Sequence, residues 1–271
     1  MPKKTLKDID VQGKRVLVRV DFNVPMTGGQ ISDDNRIRAA LPTIQHLREQ
    51  GAKIILCSHL GRPNGAVDEG SRLAPISKGL ENMLGAPVAY SQECIGSVAE
   101  SAVAALLPSD VLLLENVRFH PGEEKNDPEF ARELASLADV YVNDAFGTAH
   151  RAHASTVGVA SYLPAVGGFL IQRELEMLGG VLNNPRKPLA AVMGGAKVSD
   201  KIAVLENLLG KVDKLVIGGG MAATFVKAMG ASVGDSLLEE ERVAFAEEVI
   251  TRCIHWTVGL VLPQDVLVAS A

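Results

Sequence analysis

Arginine, histidine and small polar residues gather in four short stretches of this chain. They are Asp21-Phe22-Asn23-Val24-Pro25, Ser58-His59-Leu60-Gly61-Arg62-Pro63, Glu115-Asn116-Val117-Arg118-Phe119 and Asn143-Asp144-Ala145-Phe146-Gly147-Thr148-Ala149-His150-Arg151-Ala152-His153. Each stretch follows an apolar, β-branched run, and Arg36 opens the helical pattern after the first. Arginine presents a planar fork that pairs bidentately with phosphate or carboxylate. Asp21 and Asn23 can accept from, or donate to, a ligand hydroxyl. A small acid bearing phosphate, carboxylate and hydroxyl fits this inventory. Any one of these arginines taken alone is more often a weak surface ion-pair residue, and His59 alone a structural histidine. The expectation that Arg36, Arg62, Arg118, Arg151, His59, His150 and His153 converge rests on their shared position after strands.

The second half carries a different pattern. Gly194-Gly195-Ala196-Lys197-Val198-Ser199-Asp200-Lys201-Ile202 follows a strand-like run and opens a helical one. Glycines there let backbone approach a phosphate, and a helix N-terminus supplies N–H donors and a favourable dipole. Lys197 and Lys201, four apart, would share a helix face, which is unfavourable unless an anion neutralises them; the plain alternative is two solvated lysines. The spacing is not a P-loop. Gly218-Gly219-Gly220-Met221-Ala222-Ala223 matches GxGxxA, a weak dinucleotide signal that is equally a tight strand-to-helix turn.

The elements that must position these residues alternate. Arg15–Phe22, Lys53–Ser58, Pro87–Ser91, Val111–Val117 and Val140–Phe146 read as strands. Asp33–Glu49, Ala74–Leu84, Val98–Leu107 and Asp127–Leu137 read as helices, the last with a capping acid followed by proline. In the second series Pro188–Met193, Lys214–Ile217, Val258–Leu262 and Val266–Ala269 read as strands, and Val198–Leu209, Met221–Ala228 and Glu239–Cys253 as helices. Alternation implies βαβ units and parallel sheets covered on both faces. The expected fold is α/β, two Rossmann-like parallel-sheet domains of three-layer αβα type: residues 1–165, a joining helix over 166–183, and residues 184–271. The second series holds fewer strands than a full doubly wound domain, so that domain is expected to be incomplete.

Bulk properties narrow the function classes. The chain is 47% hydrophobic and 22% charged, with 27 Lys and Arg against 32 Asp and Glu. That suits a folded globular protein and argues against general nucleic-acid affinity, which needs a basic face. Three cysteines at scattered positions, Cys57, Cys94 and Cys253, suggest neither a disulfide framework nor a zinc site and favour a reducing cytoplasm. No signal peptide or membrane span is expected.

Taken together, DFNVP, SHLGRP, ENVRF, NDAFGTAHRAH, GGAKVSDKI and GGGMA resemble the phosphoglycerate kinase family, in its order and at its separations, over essentially the whole chain. The resemblance implies two domains with a hinge and reversible phosphoryl transfer between ATP and 3-phosphoglycerate, giving ADP and 1,3-bisphosphoglycerate, in a monomer. Carried over by motif, Asp21, Asn23, Arg36, His59, Arg62, Arg118 and Arg151 are the substrate contacts. Gly195, Ala196, Lys197 and Lys201 meet the nucleotide phosphates; Gly218, Gly219 and Gly220 belong to the adenine side. Arg36, Lys197 and Lys201 are the implied catalytic set. The family uses Mg2+ with the nucleotide, but its GPxGxFE-like and GGGDS-like loops, the latter carrying the magnesium acid, have no counterpart here, so no metal ligand is assigned. Two competing readings are a fragment that binds 3-phosphoglycerate without turnover and, from GxGxxA, a nucleotide-linked dehydrogenase.

Overall fold

A computed structural model describes residues 4–267 and divides the chain into two compact units, Met1–Glu176 and Met177–Ala271. In the first unit, β1 (Arg15–Arg19) leads through a small hairpin, β2 (Met26–Thr27) and β3 (Gln30–Ile31), to α1 (Asn35–Glu49) and β4 (Lys53–Cys57). There follow α2 (Ala74–Leu84), β5 (Val88–Tyr90), α3 (Gly96–Ala104), β6 (Val111–Leu113), a single turn α4 (Pro121–Glu124), α5 (Pro128–Ser136), β7 (Val140–Asn143) and β8 (Ala165–Gly167). Helix α6 (Phe169–Asn183) crosses the division. The second unit continues with β9 (Ala190–Gly194), α7 (Ile202–Leu209), β10 (Lys214–Gly218), α8 (Ala222–Ala228), α9 (Val243–His255) and β11 (Gly259–Val261).

The first unit is built on a six-stranded sheet in the order β5-β6-β4-β1-β7-β8, every pair parallel. Its strands are apolar throughout because alternate side chains enter different cores. Val16, Val18, Ile54, Leu56, Val140 and Val142 pack in one buried cluster. Leu17, Ile55, Cys57, Leu112 and Tyr141 pack in another, against the helices of the opposite face. The strands are shorter than their apolar runs suggest. β1 stops at Arg19 because its neighbours' registers stop there, at Cys57 and Asn143, and Val20–Phe22 leave as loop. Ala165–Gly167, placed by the sequence reading at the border of the joining helix, instead forms a sixth strand paired to Tyr141–Asn143. Helix α5 starts as its sequence predicts: the Asp127 carboxylate accepts from the N–H groups of Glu129 (3.0 Å) and Phe130 (2.9 Å), and Pro128 takes the first helical position.

The second unit has a three-stranded parallel sheet, β11-β10-β9. Leu215 and Ile217 bury one face against α7, α8 and α9, in a cluster with Leu205, Phe225 and Val249. Among the described residues the expected cover is present on one face only. The register aligns Val192, Val216 and Val261 across the other face, where Val192 is 78% and Val261 44% exposed. The last expected strand, Val266–Ala269, runs beyond the described residues; Val266 and Leu267 lie in no strand.

Two substitutions test this account of the first unit. Ile55→Ala should cost about 2–5 kcal/mol through an unfilled core cavity, and Asp127→Ala about 1 kcal/mol through a lost cap. Urea unfolding followed by circular dichroism should rank them in that order.

Candidate functional site

Parallel strands send all their carboxyl ends to one edge, and the loops leaving β1, β4, β6 and β7 therefore meet there. Main-chain and side-chain bonds stitch them together. Phe22 N–H donates to Ser58 Oγ (2.9 Å), and Asn116 Nδ2 donates to the carbonyls of Leu60 (2.8 Å) and Ser71 (2.9 Å). Gly61 is the junction: its N–H donates to Asn23 Oδ1 (2.9 Å) and its carbonyl accepts from Arg118 Nη1 (2.9 Å). Its φ of +64° and the Ser71 Oγ only 3.0 Å from where a Cβ would stand require glycine.

The result is a cavity of about 260 Å³ lined by Asp21, Asn23, Arg36, His59, Arg62, Arg118 and Arg151, with Gly61, Gly147 and Thr148 completing it. Four arginines thus face one carboxylate. Asp21 is spent on Arg36, whose Nη1 lies 3.0 Å from both its carboxylate oxygens, and Asn23 Oδ1 is spent on Gly61. These two therefore brace other residues of the pocket, with the Asn23 amide N–H groups left to donate. Arg118 is nearly buried and also pairs with Glu124 (3.1 Å); burial pulls its pKa below the usual guanidinium value. Arg62 is exposed and makes no hydrogen bond or ion pair among the described residues. His59 is buried beneath these cations. Burial first, then Arg19, Arg118, Arg151 and Arg36, push its pKa down to about 2, so it is neutral.

Two expected members fall outside. His150 is exposed and accepts from Arg151 Nε (3.3 Å) through its own ring nitrogen. His153 is buried at the start of the turn 154–158, its Nδ1 3.7 Å from the Glu123 carboxylate. Asp144, in the same motif, belongs to α6: its Oδ1 accepts from the N–H groups of Leu170 (2.8 Å) and Ile171 (3.3 Å), and burial raises its pKa. Sequence reasoning missed Arg19 and Thr148. A charged residue inside the apolar run Arg15–Phe22 was the available signal for Arg19.

In the second unit the glycine loops meet each other. Met221 N–H donates to the Gly195 carbonyl (2.8 Å). A Cβ on Gly219, at φ +66°, would stand 3.1 Å from Gly195 N. Gly219 and Gly220 are thus explained by loop-against-loop packing, whereas Gly218 faces open space. The expected shared helix face of Lys197 and Lys201 is not formed: Ser199–Lys201 is a 3-10 turn and the helix begins at Ile202. The Glu239 carboxylate takes the N–H groups of Val198 (2.5 Å) and Ser199 (3.1 Å) and the Ser199 hydroxyl (2.6 Å), so those donors are already satisfied by the chain itself.

Fold and pocket define an α/β protein with an arginine-lined pocket at the carboxyl ends of a parallel sheet. A phosphoglycerate kinase family model matches residues 6–271. The phosphoglycerate kinase of Moorella thermoacetica is 60% identical over 270 residues, covering 100% of this chain and 69% of the relative. That of Pelotomaculum thermopropionicum is 59% identical, covering 99% and 68%. The phosphoglycerate kinase structure from Coxiella burnetii superposes with a TM-score of 0.84 at 45% identity, over 97% of this chain and 66% of that one. The chain belongs to the phosphoglycerate kinase family and spans about two thirds of the length of these relatives.

The contacts separate two arginines by experiment. Arg118→Ala should destabilise the fold by about 1–3 kcal/mol because it strips the Gly61 carbonyl of its partner, whereas Arg62→Ala should change urea stability by less than about 0.5 kcal/mol. The Glu239 cap adds a pH test. Chiefly through its bond from Ser199, Glu239 titrates below the usual carboxylate range. Its contribution is therefore present above the unfolded value and lost as pH falls through the folded one. Glu239→Gln should flatten the acid-side loss of stability, read by fluorescence of the single tryptophan, Trp256.

Proposed function

We propose that this chain carries phosphoglycerate kinase chemistry, with 3-phosphoglycerate bound in the pocket of the first unit and ATP or ADP phosphates met by the Gly195–Lys201 segment of the second. In this reading residues 1–165 are the substrate domain, 166–183 the hinge helix and 184–271 the nucleotide-binding part. The observation that carries the reading is the convergence of Arg36, Arg62, Arg118, Arg151 and His59 on one small cavity. Such a cavity suits a compact anion: guanidinium forks in a partly desolvated site bind phosphate and carboxylate far better than the same groups in water.

The reaction moves one phosphoryl group. A carboxylate oxygen of 3-phosphoglycerate attacks the γ-phosphorus of ATP; the new acyl P–O bond forms as the bond to the β-phosphate oxygen breaks, and ADP leaves with that electron pair. Positioning and charge neutralisation supply most of such catalysis, with no covalent enzyme intermediate. Arg62, Arg118 and Arg151 hold the distal phosphate, and Arg36 and Lys197 neutralise the migrating group, with Lys201 beside it. Arg36 is already oriented by Asp21 and remains half exposed. Magnesium would arrive with the nucleotide. Among the described residues no three His, Cys, Asp or Glu side chains come together to hold a metal. Buried, unpaired thiols at Cys57, Cys94 and Cys253 are consistent with a reducing cytoplasm.

Calorimetry with 3-phosphoglycerate, run beside a coupled ATP assay, tests the reading. Arg62→Ala and Arg151→Ala should each weaken binding about 10- to 100-fold, the loss of a charge-assisted contact. Arg36→Ala and Lys197→Ala should lower turnover by roughly two to four decades. Absence of 3-phosphoglycerate binding would refute the proposal; binding without turnover would narrow it to substrate capture.

A further inference from the structure

Arg19 lies at the end of β1, between β4 and β7, and its side chain is 0% exposed. A buried guanidinium must spend its N–H groups, and this one spends them in three directions. Nε donates to Ser155 Oγ (2.8 Å), Nη1 to the Val20 carbonyl (2.5 Å), and Nη2 faces His59 Nδ1 at 3.2 Å. A guanidinium has five donors, no acceptor, and does not give up its proton in proteins. The contact with Nδ1 therefore has a single polarity: Arg19 donates and the imidazole lone pair accepts. With Nδ1 unprotonated, the ring proton resides on Nε2. Among the described residues Nε2 has no protein partner, while His59 lines the arginine cavity.

The charge on Arg19 is balanced at one remove. Ser155 accepts from Arg19 and donates through Oγ to Glu123 Oε1 (2.6 Å), and its N–H donates to Glu123 Oε2 (2.9 Å). Glu123 is itself 0% exposed. Glu123, Ser155, Arg19 and His59 form one buried line in which every hydrogen has a fixed direction, and its last member opens on the pocket.

We propose that Arg19 is a positioning residue for the anion site: it locks His59 in the neutral tautomer protonated at Nε2, making that imidazole a permanent hydrogen-bond donor to the bound anion and barring it from service as a proton acceptor. This deepens the substrate reading given above and rests on it for the nature of the anion. The charged groups facing His59 act in the same sense. Arg19, Arg36, Arg118 and Arg151 all disfavour an imidazolium, and burial pushes the ring's pKa far below the ordinary value. The one carboxylate on the lining, Asp21, is engaged by Arg36.

Two-bond proton–nitrogen spectra of the full chain, labelled with ¹⁵N-histidine, read the tautomer directly, and His59→Gln assigns the signal by its loss. The expected result is a protonated Nε2 and a bare Nδ1 that do not change between pH 5 and 8. An Nδ1–H tautomer, or a midpoint near the ordinary imidazole value of about 6.5, overturns the proposal. Arg19→Lys, which keeps the charge but loses the fork, should let His59 exchange between tautomers and weaken 3-phosphoglycerate binding about tenfold. If that variant does not fold, the wild-type spectrum still decides. A locked Nε2–H sustains the role of Arg19 whether or not 3-phosphoglycerate binds. Binding beside a freely titrating His59 overturns that role and leaves the substrate reading standing.

Discussion

Parallel pairing of β1 with β4 on one side and β7 on the other is the constraint from which the pocket follows. The registers tie Arg19 to Cys57 and to Asn143, so three strands end level. Each following loop must then rise from the same edge, because a parallel sheet has no strand running back. Residues separated by more than a hundred positions, such as Asp21 and Arg151, are brought to one cavity by backbone hydrogen bonding and not by any attraction between them. Their like-charged neighbours would separate if the frame allowed it.

That frame must offset the cost of assembling cations, and it does so locally. Arg36 has Asp21, Arg118 has Glu124 and the Gly61 carbonyl, and Arg19 has Glu123 through Ser155. Arg62, exposed like Arg36, makes no hydrogen bond or ion pair among the described residues. The compensation is uneven: the buried guanidiniums of Arg19 and Arg118 have several protein acceptors, as the desolvation penalty demands, whereas half-buried Arg151 has only the His150 ring nitrogen. Positive charge without a protein counter-charge thereby lies at the exposed rim, at Arg62.

Much of this was legible in the sequence, for identifiable reasons. His59, Arg62 and Arg118 could be placed because each directly follows an apolar run, and a position after a strand survives small errors in where the strand ends. The GG-containing hairpin at Met26–Ile31 was missed: each strand contributes two residues, too few for any period to register. His150 and His153 were misplaced because tight turns at Phe146–Thr148 and 154–158 redirect the chain, and no pattern in the residues announces the direction. Lys197 and Lys201 were expected to share a helix face, but a 3-10 turn precedes the helix at Ile202, and the N–H groups of Val198 and Ser199 are taken by Glu239, about forty positions on. Long-range acceptors of that kind are invisible to local periodicity.

The uneven sheet of the second unit has a consequence of its own. With Val192, Val216 and Val261 in a row that solvent reaches, the described residues pack on the strands β9–β11 from a single side. The free energy needed to part them is correspondingly smaller than for the doubly sandwiched β1 and β4, since opening exposes less apolar surface. Amide protons of β10 would therefore trade with deuterated water well before those of β1, and transient excursions of the molecule would begin among its glycine loops while the arginine pocket stayed intact.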